Sequence, residues 1–289
     1  MIAALLISLS AGFSSSDPLA LAFASRIYNP PSVQALSHSQ VYTCALDGSR
    51  RRRWTSVKGD VWQVWWRSRN ALRYVVSKGE EFDEDAPAQL REIDVLTGKD
   101  HLVRKGTQGK LHPETTRFRL QGDQTMGDVE EELGKANHSL KAGLDEDVVV
   151  VDGHRVDLGV PLTGEAFDRK SGQLWFFTYN HDSTTGADNR AYRLDWKTFQ
   201  IEAVVSHADK GDFDTRRSTY AYVSQRDTVS YVKGHRVWMT QAIVGDWKKG
   251  TRYLIAGPKN LPDADLRQLQ TPRVRTGEMS YQFSIAIRP

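Results

Sequence analysis

The chain has 289 residues, 39% of them hydrophobic, and 39 Lys and Arg against 36 Asp and Glu leave a net charge of +3. So balanced a surface excludes the basic field of a nucleic-acid-binding domain. The single cysteine excludes an intrachain disulfide and a Cys-based zinc site. The length suits one large all-β domain or two small ones. Eight Trp, ten Tyr and ten Phe offset the modest hydrophobic fraction, because each aromatic buries a large area.

In chain order, residues 1–13 (MIAALLISLSAGF) form an apolar run too short to span a bilayer. Ala20-Leu21-Ala22 and Ala22-Phe23-Ala24 both fit a small-x-small cleavage site. The expectation is a signal peptide over 1–24, an exported protein (periplasmic or extracellular) and one mature domain over 25–289. No Lys or Arg precedes the apolar run, so the competing reading is a buried first strand of a cytosolic protein. No later run is long and apolar enough for a transmembrane helix.

QVYTCAL alternates as a strand that buries Cys44 as an unreactive thiol, and Asp47-Gly48 turns it. Arg50-Arg-Arg-Arg53 with Trp54 follows, read either as an anion-binding patch or as an outer strand facing water. Next to Asp60, VWQVWWR carries Trp62, Trp65 and Trp66; their alternation favours a buried inner strand over an exposed stacking surface. WRSRNAL then runs into RYVVS, and QLREIDVLTGKDHLV turns at Asp94. Over 127–142, Val129, Leu133, Ala136 and Leu140 fall at helical spacing and predict a short amphipathic helix inserted in the repeat. VVVVDGHRVDL turns at Asp152, FDRKSGQL runs into WFFT, and RAYRLDWKTFQIEAVV turns at Asp195. Between the last two lies the polar loop Tyr179–Asn189, whose His181, Asp182, Asp188 and Asn189 are candidates to grip a sugar or a hard cation. IVGDWKKGTRYLIA turns at Asp246 and echoes Asp195-Trp196-Lys197 as Asp246-Trp247-Lys248.

The turn aspartates are spaced by 47, 58, 43 and 51 residues. Four short strands plus their connections fill about 40–50 residues, the size of a propeller blade. The pattern therefore predicts an all-β chain: a β-propeller of five (or six) four-stranded blades with one helical insertion. A pair of stacked sheets or a solenoid is the alternative. Only LALAFASRIY precedes QVYTCAL, so the first unit lacks its innermost strand. The C-terminal RVRTGEMSYQFSIAIRP is placed to supply it.

On these residues the chain resembles the TolB-like (WD40-like, PD40) propellers. WWRSRNALRYVVS and AFDRKSGQLWFFT fill the family's Trp-Ser-Pro-Asp-Gly-plus-strand slot, and IDVLTGK and ALDGSRRRRWT its second turn. The Ser-Pro-Asp-Gly core is nowhere intact, and 107–147 depart from the pattern. The resemblance implies contacts with proteins of the cell envelope.

Chemistry is sparse. The chain has no G-x-S-x-G, H-E-x-x-H, C-x-x-C or G-x-G-x-x-G. Gly245–Thr251 mimics a phosphate loop but lacks the Lys after its second Gly. His38, His101, His112, His138, His154, His181, His207 and His235 form no close pair, so no metal is expected. Asn137-His138-Ser139 matches a glycosylation acceptor. No catalytic or binding residue and no cofactor is assigned. The leading expectation is a monomeric, non-catalytic binding module for a protein or glycan, without nucleic acid. The alternative is a glycosidase or lyase with carboxylates in the channel, Asp60, Glu165 and Asp168 being first to check.

Overall fold

A computed structural model describes residues 17–28, 38–79, 83–111, 139–143, 146–151, 154–157, 162–168, 173–178, 190–195, 198, 200–206, 208–224, 228–232, 235–257 and 279–289. Sheet A begins with β1 (Leu21–Tyr28), β2 (Gln40–Cys44) and β3 (Arg52–Arg53). Sheet B is β4 (Asp60–Ser68), β5 (Ala71–Ser77), β6 (Pro87–Asp94) and β7 (Asp100–Thr107), followed by the one-turn helix α1 (Gln108–Leu111). Sheet C is β8 (Ser139–Gly143), β9 (Glu146–Val151) and β10 (His154–Asp157). Sheet D is β11 (Leu162–Asp168), β12 (Gln173–Thr178), β13 (Arg190–Asp195) and β14 (Gln200–Ser206).

Sheet E opens with β15 (Ala208–Asp214) and β16 (Thr219–Ser224). A separate hairpin, β17 (Thr228–Val232) with β18 (His235–Met239), interrupts it before β19 (Ala242–Asp246) and β20 (Thr251–Ala256) complete it. The last strand, β21 (Met279–Ile287), pairs antiparallel with β1 from Leu21↔Ile287 to Tyr28↔Met279. Sheet A therefore combines both ends of the chain, in the order β21-β1-β2-β3. Every pairing is antiparallel between chain neighbours except this one and the β16–β19 contact that skips the hairpin.

The sheets repeat at the level of single residues. In B, D and E the third and fourth strands join at the turn aspartates Asp94, Asp195 and Asp246. The carboxylate of Asp94 accepts from the N–H of Leu96 and Thr97 at 2.9 and 3.2 Å, and that of Asp246 from Lys248 and Lys249 at 3.0 and 3.1 Å. Asp195 accepts from Thr198 at 3.2 Å, and Asp47 from Ser49 at 2.9 Å in the matching turn of sheet A. Gly98 and Gly250 close two of these turns at φ of 75° and 64°, a region that a side chain disfavours. Each outer strand then bulges at one β-branched residue: Val103, Val204 and Ile255. All three lie nine residues after the turn aspartate. The innermost strands bulge as well, at Trp62 in β4, Gly164 in β11, Asp209 in β15 and Phe283 in β21.

The core lies between sheets. D packs on E through Trp175, Phe177, Phe213 and Tyr222. E packs on A through Val223, Val244, Phe23 and Ile285. A packs on B through Ala24, Val41, Val64 and Tyr74. Sheets A and E are thus apolar on both faces, which explains continuous hydrophobic runs such as YAYV in β16 and LAFA in β1.

One expectation is corrected. Residues 139–142 belong to β8 rather than to a helix: Leu140 pairs with Val149 and Lys141 with Val148. Pairing with the Val148–Val151 run outweighs a helical spacing that four residues satisfy as easily as an alternating one; residues 127–138 lie outside the described residues. The described helix is instead α1, whose Leu111 packs on Val75, Ala88 and Leu90. The expected boundary at residue 24 lies within the span of β1, Leu21–Tyr28. Leu21, Ala22, Phe23 and Ala24 are fully buried and paired with both β2 and β21. Cleavage at either small-x-small site would cut into a core strand.

Candidate functional site

At one end of the A–B contact, charged groups converge beside two facing bulges. The extra residue in β4 is Trp62 and in β21 it is Phe283. Their rings meet edge to face at 4.9 Å, and a bulge re-aims a side chain in this way. Alternation along β1 turns Ser25 toward sheet E and Arg26 toward sheet B. The Arg26 guanidinium lies 5.1 Å above the Phe283 ring and pairs with Asp60, Nη2 to Oδ1, at 2.8 Å.

Asp60 opens β4 and gathers three donors. Its Oδ1 accepts from Arg26 and from the backbone N–H of Ser39 at 2.6 Å, and its Oδ2 faces His38 Nδ1 at 3.3 Å. Burial pushes the carboxyl up, but the Ser39 N–H and the Arg26 guanidinium outweigh it, with His38 adding to them, and hold Asp60 below the usual carboxylate range. An ionised carboxylate only accepts, so His38 Nδ1 carries the proton toward it. The half-exposed His38 ring is oriented by its carboxylate as in other His–Asp pairs. The site presents a fixed imidazole and guanidinium beside an aromatic pair. Chemically it suits recognition, or an oriented base, better than proton donation.

Sequence reading singled out Asp60 and Trp62 but missed Arg26, His38 as Asp60's partner, and Phe283. Arg26 lay hidden inside a segment read next to a leader, and Phe283 is 223 positions from Asp60 in the chain. Of the other carboxylates, Asp168 ends β11 rather than starting it. It holds in sheet D the place of Asp214 in sheet E, whose carboxylate accepts from the N–H of Arg216 and Arg217. Glu165 sits in mid-strand, opposite Phe176. The three are not gathered at one strand end.

Trp62 and Trp66 are buried, and Trp65 is partly buried against Val75 and Leu90. This is the core reading of the tryptophan run. The arginine run divides. Arg51 is tucked over Phe23 and Tyr42, at 5.0 and 4.6 Å from their ring centres. Arg52 lies flat on Trp54 at 3.8 Å, and Arg53 is exposed. Cys44 is fully buried between sheets A and E, and burial pushes its thiol up to about 12 against the pull of Arg51. Gly245–Thr251 spans the β19–β20 hairpin, not the entry to a helix. Among the described residues no three His, Cys, Asp or Glu are grouped to hold a metal, and no helix is long and apolar enough to cross a membrane. The Tyr179–Asn189 loop, with His181, Asp182, Asp188 and Asn189, lies outside the described residues, as do His112, Asn137, His138 and His207.

No family model matches the chain, and no curated protein matches it. Among solved structures it is similar to TolB from Acinetobacter baumannii, at 10% identity over 83% of this chain and 53% of that one, with a TM-score of 0.25. An oligogalacturonate lyase from Vibrio parahaemolyticus gives 12%, 79%, 64% and 0.25 on the same measures. The β-propeller domain of the Trilobed protease from Pyrococcus furiosus gives 6%, 70%, 43% and 0.22. The chain spans about half the length of TolB and less than two thirds of the other two. Likenesses this distant carry no argument about function, and the architecture rests on the repeated sheets themselves.

Proposed function

We propose that the chain is an exported, five-bladed β-propeller that acts as a binding module for a protein or glycan of the cell envelope. Sheets D, E, A and B pack face to face in that order, and sheet C stands between B and D in the chain, where a fifth blade would complete the ring. The strand pair β21–β1 joins the chain ends within one blade, a device that removes open edges. Under this reading a leader peptide ends before β1, leaving Leu21 in the mature domain.

The observation that carries the binding function is the state of Asp60. A glycosidase acid needs a raised pKa, whereas Asp60 is held down, with both oxygens facing donors. Its carboxylate works as a brace for the largely covered Arg26 and for the half-exposed His38, the recognition group that solvent reaches. The test is capture from envelope extract and from a glycan array by the purified chain, beside an Asp60→Asn variant. Retention of a defined partner that the variant loses is the expected result. No retention by the wild-type chain, together with turnover of a polysaccharide panel, would replace this reading with an enzyme.

A further inference from the structure

Next to its turn aspartate, sheet D is polar where sheet E is apolar. Strands β12, β13 and β14 set two rungs on one face, Gln173–Asp195–Gln200 and Trp175–Arg193–Glu202. The matching rungs of sheet E are Thr219–Asp246–Thr251 and Ala221–Val244–Tyr253. Counted from the turn aspartates, Arg193 stands where Val244 does, and Glu202 where Tyr253 does. In sheet E, Ala221 and Val244 are buried against sheet A, and Tyr253 packs on the same core. Sheet D sets a guanidinium and a carboxylate at two places that close the neighbouring interface.

This face of sheet D looks toward sheet E, not toward sheet C. Trp175 packs with Phe213 and Tyr222 and stacks on Trp247 at 4.0 Å, and β15 lies against β11, β12 and β13. Sheet E thus closes over the aromatic end of the second rung. Its polar end opens on a cavity of about 400 Å³, lined by Gln173, Arg193, Asp195, Gln200 and Glu202. Solvent reaches it, since the Arg193 and Glu202 side chains are 33% and 60% exposed.

The chemistry of this lining decides the ligand. Two amides, a guanidinium and two carboxylates set donors beside acceptors, and a hydroxyl group uses both at once. One cation against two carboxylates leaves the lining negative, which disfavours a uronate, sulfate or phosphate. Nor do the carboxylates form a cation cage: Glu202 pairs with Arg193, and Asp195 accepts from the N–H of Thr198 at 3.2 Å. Arg193 is steadied from below, its guanidinium lying 5.6 Å from the centre of the Trp175 ring. The volume falls in the range of about 300–1,000 Å³ usual for small-molecule sites.

We propose that this cavity between sheets D and E is a carbohydrate site for a short, uncharged oligosaccharide. Its hydroxyls bond Gln173, Gln200 and the Arg193–Glu202 pair, with Asp195 at the closed end of the strip. The site stands apart from Asp60, which lies between sheets A and B, and so goes beyond the binding-module reading by adding a second site with its own ligand class.

The probes are cellotriose, maltotriose, mannotriose and chitotriose, each titrated into the full chain by calorimetry and followed by tryptophan fluorescence. At least one should bind, equally well at low and high salt because the ligand carries no charge, and should shift the emission. Trigalacturonate, the charged counterpart, should bind more weakly than that sugar. Gln200→Ala and Glu202→Ala should each weaken binding about tenfold, the worth of one or two hydrogen bonds. Both side chains are exposed, so the variants should keep the wild-type melting curve. Lys105→Glu, on sheet B, should leave binding unchanged. No binding of any of the four sugars, tighter binding of trigalacturonate, or full affinity in both variants would overturn the proposal. Loss of sugar binding in Asp60→Asn alone would overturn it too, by placing the sugar between sheets A and B. If no sugar binds but an envelope partner is still captured, this site fails and the binding function stands. If the wild-type chain captures nothing at all, the function itself fails.

Discussion

Arg288, one residue from the C-terminus, holds the last strand in place, and its removal should be costly. The side chain is 8% exposed. Its Nε donates to the Arg69 carbonyl at 2.7 Å, Nη1 meets Asp17 Oδ2 at 3.1 Å, and Nη2 reaches Asn70 Oδ1 at 3.4 Å. The guanidinium also lies 5.5 Å over Trp66, and Arg217 donates to the Arg288 carbonyl. Two chain segments, each more than 200 positions away, are tied to one side chain. Arg288→Ala leaves Asp17 without its guanidinium and the Arg69 carbonyl without its donor. Hydrogen bonds to charged groups contribute about 1.5–3 kcal/mol each, and breaking a buried pair costs about 3–5. Partial exposure of Asp17 lowers the total to about 3 kcal/mol, or a fall in Tm of roughly 6–12 °C for a domain of this size. Calorimetry measures the shift, and hydrogen exchange should localise the loosening to residues 280–287. Arg193→Ala removes a more exposed pair with Glu202 and should cost no more than about 0.5–1 kcal/mol. A shift of less than about 2 °C for Arg288→Ala, or one equal to that of Arg193→Ala, would refute the clasp.

Other consequences follow from single residues. Cys44 should resist thiol reagents until the whole domain unfolds, as labelling rates in denaturant would report. Its folded pKa of about 12 exceeds that of an unfolded thiol, so the unfolded chain ionises first. Stability should then fall by up to about 1.4 kcal/mol per pH unit above roughly pH 9, and less steeply in Cys44→Ala. Asp60 is shifted the other way. Its contribution is complete above the ordinary carboxylate pKa and is lost as pH falls through the lower folded value. Asp60→Asn should therefore flatten the acid limb of the stability profile below about pH 4. At Gly211 an added Cβ would collide with the Ala221 carbonyl and stand 2.7 Å from the Phe177 ring, where sheets D and E close on each other. Gly211→Ala should cost about 3 kcal/mol in denaturant titration, and a neutral result would mean that the two sheets are not tightly seated.

What was legible in the sequence was local. Asp47, Asp94, Asp195 and Asp246 cap N–H groups two or three residues ahead, a bond that forms with little help from the rest of the molecule. Alternation placed β5, β12, β13 and β19, and the missing inner strand led to the C-terminus, where β21 lies. The outer bulge also left a trace, a β-branched residue nine positions after the turn, but one recognisable only once the pairing is known. Local patterns failed where partners decide. LAFA fits a leader's end as well as a strand, and only the structure shows it paired with both β2 and β21. SLKA fits a helix until it finds the Val148–Val151 run.

The site shows the same division. Asp60 and Trp62 stood out beside one another in the chain, but Arg26, His38 and Phe283 reach them from other strands. Sequence by itself determined the all-β class, the hairpin repeat and the turn chemistry, because these depend on residues within a few positions of one another. Tertiary structure alone decided which sheets meet and which charges pair, because those depend on packing between segments as much as 271 positions apart.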